Sequence, residues 1–136
     1  MASETDLAWL AGFLDGEGCI TLHNSPRHRF SIQLHVSNLD LASLERCRAI
    51  AGAGAVLQKK GRMRPNERRG WLYEIYGHKA KALIRQVVPY MTARRPQAEI
   101  LAQFPIARQG HRVGPLTKVG QAVAYARIKE LNRRGT

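Results

Sequence analysis

The stretch LAGFLDGEG, Leu10–Gly18, decides how the chain reads. Leu7, Leu10, Ala11 and Leu14 recur at i, i+3, i+4 and i+7, the spacing of one buried stripe on a helix running from Thr5 to Leu14. Ala8, Gly12 and Asp15/Gly16 fall on a different side, so the helix has an apolar face and a separate face of small residues. A glycine inside a helix costs about 1 kcal/mol relative to alanine. Gly12 and Gly16 therefore need a reason, and so do the two acids, Asp15 and Glu17, that flank Gly16. Thr5 or Asp6 can cap this helix, and Ser3 with Asp6 has the spacing of a capping box.

The chain as a whole is short and strongly basic. Its 136 residues are a single-domain length, with 44% hydrophobic residues, a formal charge of +12 and a pI of about 10.7. Such an excess of charge points to a polyanionic partner, most often nucleic acid. Cys19 and Cys47 fit neither a disulfide framework nor a paired zinc spacing, and read as reduced thiols in or near the core. The longest apolar run, Leu7–Leu14, is too short for a membrane span, and the acidic N-terminus is unlike a secretory signal. The expectation is a soluble, intracellular protein with no membrane partner.

Downstream, Cys19–His23 reads as a short strand, and the segment RFSIQLHVS alternates without a fault. Arg29, Ser31, Gln33, His35 and Ser37 face one way; Phe30, Ile32, Leu34 and Val36 face the other. Asp40 can cap a second helix through Leu41, Leu44, Cys47 and Ile50, stopped near Gly52. GAVLQKKG and WLYEIYG read as two more strands joined by the basic loop RMRPNERRG. Helices are expected from about Lys79 to Val88, from Pro96 to Phe104 and from Thr117 to Asn132. The order α-β-β-α-β-β-α-α-α predicts an α+β fold with four antiparallel strands.

The polar face of the second strand carries side chains that read base edges in a major groove, where arginine pairs with guanine and glutamine with adenine. Lys59, Arg62, Arg64, Arg68 and Arg69 lie on the second hairpin and its loop. A twisted sheet laid along a groove uses such a surface, although an ordinary solvated face has similar composition. The candidate base contacts are His23, Arg29, Gln33, His35 and Lys59, with Arg27 and Arg62 as neighbours. The facing of Leu57, Trp71 and Tyr73 stays open at this level. The five histidines show no HExxH or paired metal spacing, and nucleophile elbows and phosphate loops are absent. An acid beside a DNA-facing surface repels the ligand unless a cation sits between them. Asp15 and Glu17 therefore point to a hard divalent ion such as Mg²⁺, which accepts a few carboxylates together with phosphate and water.

With these residues in hand, LAGFLDGEG resembles the signature nonapeptide of the LAGLIDADG homing endonucleases: Leu10, Ala11, Gly12, Asp15 and Gly18 match, and Glu17 stands at the metal-binding acid. VSNLDLASLERCRAIAGAG resembles the helix after the second strand of that family, and YEIYGHKAKALIRQVVPYMTARRPQAEIL the later part of its domain. The likeness implies an α-β-β-α-β-β-α homing endonuclease fold with additional C-terminal helices and an antiparallel four-stranded DNA-binding sheet. It implies one domain over residues 1–136, with a core at about 7–107 and a C-terminal helix at about 117–133. One signature per chain implies a symmetric homodimer, in which Ala8, Gly12, Asp15 and Gly16 meet their counterparts and close glycine packing brings two helices together.

The implied activity is Mg²⁺-dependent cleavage of both strands of a long, partly palindromic site in double-stranded DNA, with Mn²⁺ able to substitute. By resemblance Glu17 and the Gly16 carbonyl hold the metal, Asn38 organises water and Arg94 stabilises charge on the phosphate. The chain also departs from the family. Arg94 replaces the usual lysine and cannot readily give up a proton. Ala42 stands where some relatives carry a basic residue, and Glu17 is one methylene longer than aspartate. Two competing readings follow: a regulator on the same fold that binds DNA without cutting it, and an RNA maturase.

Overall fold

The computed structural model describes residues 2–26, 29–106 and 114–134. Its first helix, α1 (Glu4–Glu17), starts before Thr5: Ser3 is the N-cap, its Oγ accepting from the Asp6 N–H at 3.1 Å, as the Ser3–Asp6 spacing predicts. Thr5 and Asp6 therefore lie inside the first turn, where the acids Glu4 and Asp6 suit the positive end of the helix dipole. The expected stripe is the buried one, with Leu10, Ala11 and Leu14 fully covered. A flank of the helix missed by that pattern carries Trp9 and Phe13, stacked at 5.1 Å, with the Arg46 guanidinium 4.1 Å over the Trp9 ring.

Two hairpins make the sheet. β1 (Gly18–Ser25) and β2 (Arg29–Asn38) form the first; β3 (Ala55–Gln58) and β4 (Trp71–Tyr76) form the second. All pairings are antiparallel, in the order β1-β2-β4-β3, so the regularly alternating β2 is central and the short β3 is an edge. β3 is shorter than expected because Gly54 and Gly61 adopt φ values of +95° and +114°, which extended strands do not have. At Gly54 no side chain fits either: a Cβ would stand 2.7 Å from the Tyr73 ring and 2.8 Å from the Glu74 carbonyl.

Ile20, Leu22, Ile32, Leu34, Val36, Tyr73 and Ile75 are buried on one side of this sheet. Helices cover them: α2 (Leu41–Ala51) through Leu44 and Cys47, and α3 (Gly77–Val87) through Ala80, Leu83, Ile84 and Val87. A 3₁₀ turn, Val88–Tyr90, follows α3 at Pro89, and α4 (Arg95–Ala102) adds Ala98 and Leu101 to the core. Burial pushes the Cys47 thiol up to about 12, so this cysteine behaves as a small apolar side chain. Tyr73 points into the same core, its hydroxyl donating to the Ala53 carbonyl at 2.8 Å, and burial raises its pKa as well.

The last helix, α5 (Pro115–Arg134), closes the outer end of the core. Ile128 is buried, and Tyr125 packs on Phe30 at 5.1 Å between ring centres. Polar side chains tie α5 down: Asn132 Nδ2 donates to the Ile20 carbonyl at 3.2 Å and Gln121 Nε2 to the Pro105 carbonyl at 2.9 Å. The structure thus has the expected α+β architecture with four antiparallel strands, helices on one face of the sheet and the polar side chains of β2 on the other.

Candidate active site and nucleic-acid interface

α1 runs into β1 without a loop. The Gly18 N–H donates to the Leu14 carbonyl, and a Cβ at Gly18 would lie only 2.8 Å from that oxygen. Glycine is what allows the chain to turn so tightly at the helix end. With Leu14 and Gly18 buried, the two residues between Asp15 and Gly18 are turned outward: Gly16 and Glu17 are both exposed. The last carbonyls of a helix lack intrahelical partners and carry the negative end of its dipole. No basic residue lies in the last turn of α1, and Glu17 has no ion pair among the described residues. An exposed carboxylate at a negative helix end is a locus that attracts a cation.

Asp15 does something different. Its Oδ2 accepts from the Thr92 N–H and its Oδ1 from the Arg94 N–H, each at 2.8 Å. Expected at the helix end and at a self-interface, Asp15 is at the helix end with its carboxylate bonded within the chain. The two bonds fasten the start of α4 to the end of α1 and set Arg94 beside the turn that carries Glu17. Arg94 is half-buried, and its Nε, fully covered, has no hydrogen-bond partner. Hydrogen bonds to a charged acceptor contribute about 1.5–3 kcal/mol each. Asp15→Ala is expected to destabilise the fold by about 3 kcal/mol and Asp15→Asn, which keeps one acceptor, by about half as much. Urea unfolding midpoints read both; unchanged midpoints would mean the tether is unimportant.

Asn38 ends β2 at the same edge of the sheet. Val36 pairs with Gly18, so Asn38 lies two residues beyond the level of the α1–β1 junction. Its Oδ1 accepts from the Asp40 N–H at 2.8 Å, while Asp40 accepts from the Ser43 hydroxyl at 2.6 Å. Asp40 thus caps α2 through Ser43 rather than through a backbone N–H. Asn38 also lines a cavity of about 270 Å³ with Lys59, Glu67 and Arg68. By register, Asn38 lies at the end of the sheet from which Glu17 extends, and the Arg94 backbone is tied to Asp15, two residues before Glu17. No group of three His, Cys, Asp or Glu side chains able to hold a metal occurs among the described residues. Glu17 and the Gly16 carbonyl are oxygen donors of the hard type that Mg²⁺ accepts, and completing such a site needs phosphate, water or a second chain.

The small-residue face of α1 is bare. Ala8, Gly12 and Gly16 are exposed, and a Cβ at Gly12 or Gly16 would meet nothing within 4 Å. Nothing among the described residues accounts for either glycine.

The strand register assembles the other surface. Cys19, His35, Glu74 and Ala55 form one cross-strand row; Thr21, Gln33 and Tyr76 form the next; His23 and Ser31 lie beyond. His23 is exposed, and Gln33 and His35 are half-buried. Arg27 lies outside the described residues, and of Arg29 only the backbone position in β2 is described. Leu57 and Leu72 pair on this polar face; Trp71 and Tyr73 are on the opposite face. Lys59 and Arg62 are exposed in the loop after β3. That loop is folded by its own charges. Arg69 donates to the Lys59 carbonyl at 2.7 Å and to the Gly61 carbonyl at 3.2 Å, and Glu67 accepts from the Arg64 N–H at 2.9 Å. Arg69 therefore shapes the loop from which Lys59, Lys60, Arg62, Arg64 and Arg68 project. Glu74 and Tyr76 escaped the reading of the sequence, because only the β2–β4 register shows that they share a face with Gln33 and His35. No described helix is long and apolar enough to cross a membrane.

No family model matches the sequence, and no curated protein matches it. Solved structures do match. The homing endonuclease I-CvuI, in complex with its target in the presence of Ca, aligns with a TM-score of 0.71 at 23% identity over 93% of this chain and 82% of its own. The homing endonuclease I-TnaI aligns over 100% of both chains, at 15% identity and a TM-score of 0.62. The LAGLIDADG meganuclease I-AabMI, bound to uncleaved DNA, aligns over 93% of this chain but only 41% of its own, at 17% identity and a TM-score of 0.57. Helix α1 running straight into a four-stranded antiparallel sheet, backed by helices on one side and open on the other, is thus the LAGLIDADG homing endonuclease fold.

Proposed function

We propose that the protein is a site-specific, divalent-metal-dependent DNA endonuclease that acts as a homodimer. The observation that carries this reading is Glu17, exposed and without an ion-pair partner among the described residues, at the negative end of α1 in a chain of +12 formal charge. The fold is that of proteins solved with DNA, which supports duplex DNA as the partner. The bare face of Ala8, Gly12 and Gly16 supports self-association, since close backbone approach needs small residues and a two-fold pair presents the same patch twice.

Each residue has a part in that reading. Glu17 and the Gly16 carbonyl hold the metal, which when bound neutralises charge at the scissile phosphate. In a two-fold pair, the two α1 ends bring one Glu17 from each chain to the centre, supplying the second carboxylate that a single chain lacks. Arg94, fastened by Asp15, stabilises charge that builds on the phosphate oxygens. Asn38, with its oxygen bonded to the Asp40 N–H, keeps its amide N–H₂ as a donor that orients water. His23, Arg29, Gln33, His35 and Lys59 read bases, and Arg27 and Arg62 add neighbouring contacts.

Cleavage of a randomised duplex library containing inverted-repeat sites tests the proposal. Cutting in Mg²⁺ or Mn²⁺, with binding but no cutting in Ca²⁺, is the expected result. Binding without cutting in any of the three would identify a DNA-binding regulator, and preference for structured RNA over duplex DNA a maturase. Binding itself should depend steeply on salt, because lysines and arginines that neutralise phosphates release counterions. For six or more phosphate contacts, affinity should fall about 10³-fold or more between about 50 and 200 mM salt. A flat salt profile in an equilibrium titration would contradict a phosphate-dominated interface.

A further inference from the structure

The base-facing side of the sheet holds one acid among the described residues, Glu74, in a row with Cys19, His35 and Ala55. It is half-buried, and no described residue forms a salt bridge with it. The Tyr76 hydroxyl donates to Glu74 Oε2 at 2.5 Å, and Tyr76 itself is 46% exposed. A cavity of about 350 Å³ opens beside the pair, lined by Gly54, Ala55, Glu74, Ile75, Tyr76 and Lys79. The small Ala55 leaves the room, and Lys79 supplies a cation at the margin.

A carboxylate here repels phosphate, so the DNA backbone is not what it meets. It can only accept hydrogen bonds. In the major groove the donors are the N4 amino group of cytosine and the N6 amino group of adenine. Adenine sets its N7 lone pair beside that amino group, and a carboxylate aimed at the pair meets this acceptor with repulsion. Cytosine presents N4–H₂ without an adjacent acceptor on the same base. Tyr76 occupies one carboxylate oxygen and leaves Oε1 for one donor. The hydrogen bond to Glu74 pushes the Tyr76 phenol up to about 12, so it stays protonated and keeps donating at neutral pH.

We infer that Glu74, held by Tyr76, specifies a cytosine in each half-site by accepting a hydrogen bond from its N4 amino group. This rests on the proposed DNA-binding function. The register also places the contact. The Glu74 row is one residue from Gly18 along β1, whereas the Gln33 row is three and the Ser31 row five. At about 3.3 Å per residue, successive rows are about 7 Å apart. The base read by Glu74 therefore lies nearer the centre of symmetry than the base read by Gln33.

The test is enrichment by binding in Ca²⁺ from a randomised duplex library, using the full chain and its Glu74→Gln, Glu74→Ala, Tyr76→Phe and Gln33→Ala variants. The wild type should enrich cytosine at one position per half-site. Glu74→Ala should lower that preference about tenfold or more and leave the other positions unchanged. Glu74→Gln should move it toward adenine, which a glutamine amide pairs through N6 and N7. Tyr76→Phe should weaken the preference without changing the base, and Gln33→Ala should act at a position farther out. The near-isosteric Glu74→Gln and Tyr76→Phe keep the test decisive if the alanine variant unfolds. Identical base rankings in the wild type and the Glu74 variants would overturn this inference and leave the endonuclease reading standing. A wild type that enriches no sequence would overturn both.

Discussion

Glu17→Gln is expected to abolish cleavage while leaving the protein folded and able to bind DNA. The side chain is exposed at the end of α1 and packs on nothing in the core, so amide for carboxylate costs little stability. What changes is the charge at a negative helix end. Stabilisation of transition-state charge by a bound metal is worth several kcal/mol, so losing its carboxylate ligand should slow cleavage by about 10³-fold or more. A second effect has the opposite sign. Without metal, Glu17 repels phosphate, so the variant in EDTA should bind its site at least as tightly as the wild type. Single-turnover cleavage in Mg²⁺ and equilibrium binding in EDTA measure the two separately. A variant that cuts within tenfold of the wild type would remove Glu17 from the proposed chemistry, whereas loss of binding together with cutting would mark it as a DNA contact.

Substitutions at Gly12 should separate the folding of one chain from the pairing of two. A Cβ at Gly12 meets nothing within 4 Å, so Gly12→Ala should stabilise α1 in an isolated chain by up to about 1 kcal/mol. Gly12 is exposed, so an isolated chain should tolerate Gly12→Leu as well. In a two-fold pair with close helix contact, by contrast, a leucine on each chain forces the backbones apart. Overpacking costs of about 1–3 kcal/mol at each of two symmetric positions weaken association by about 30-fold or more. Sedimentation velocity across a concentration series reads the dimer, and thermal unfolding at low concentration reads the monomer. In the proposed pair each chain brings one Glu17 to the centre, so cleavage should fall with dimerisation. If Gly12→Leu dimerises like the wild type, the small-residue face is not the contact.

The candidate site is partly legible in the sequence. Glycines in a helix interior and acids at its end break local rules, and such exceptions are visible in a string of letters. Gly16 and Glu17 stood out for that reason and are exposed at the end of α1. Asn38 and Arg94 came only through likeness to a family, since neither breaks a rule where it stands. What holds them was not visible at all: Asp15 bonds to an amide 79 residues away, and Asn38 is bonded through Oδ1 to the start of α2. Arg69 read as one more cation for phosphate, yet its guanidinium binds two carbonyls of its own loop.

Local periodicity was enough for the buried stripe of α1, the two faces of β2, the helix stops at Gly52 and Pro89, and the basic character of the surface. Each depends on neighbours within a few positions, and spacings of two, three or four residues carry that information. Long-range pairing was needed for the order β1-β2-β4-β3 and the burial of Tyr73. It was also needed for the rows that set Glu74 beside His35 and Tyr76 beside Gln33. A strand such as WLYEIY carries large apolar residues on both faces, so its alternation does not say which side meets the helices. Hydrogen-bond register to a partner strand, together with the helices packed against one side, settles it.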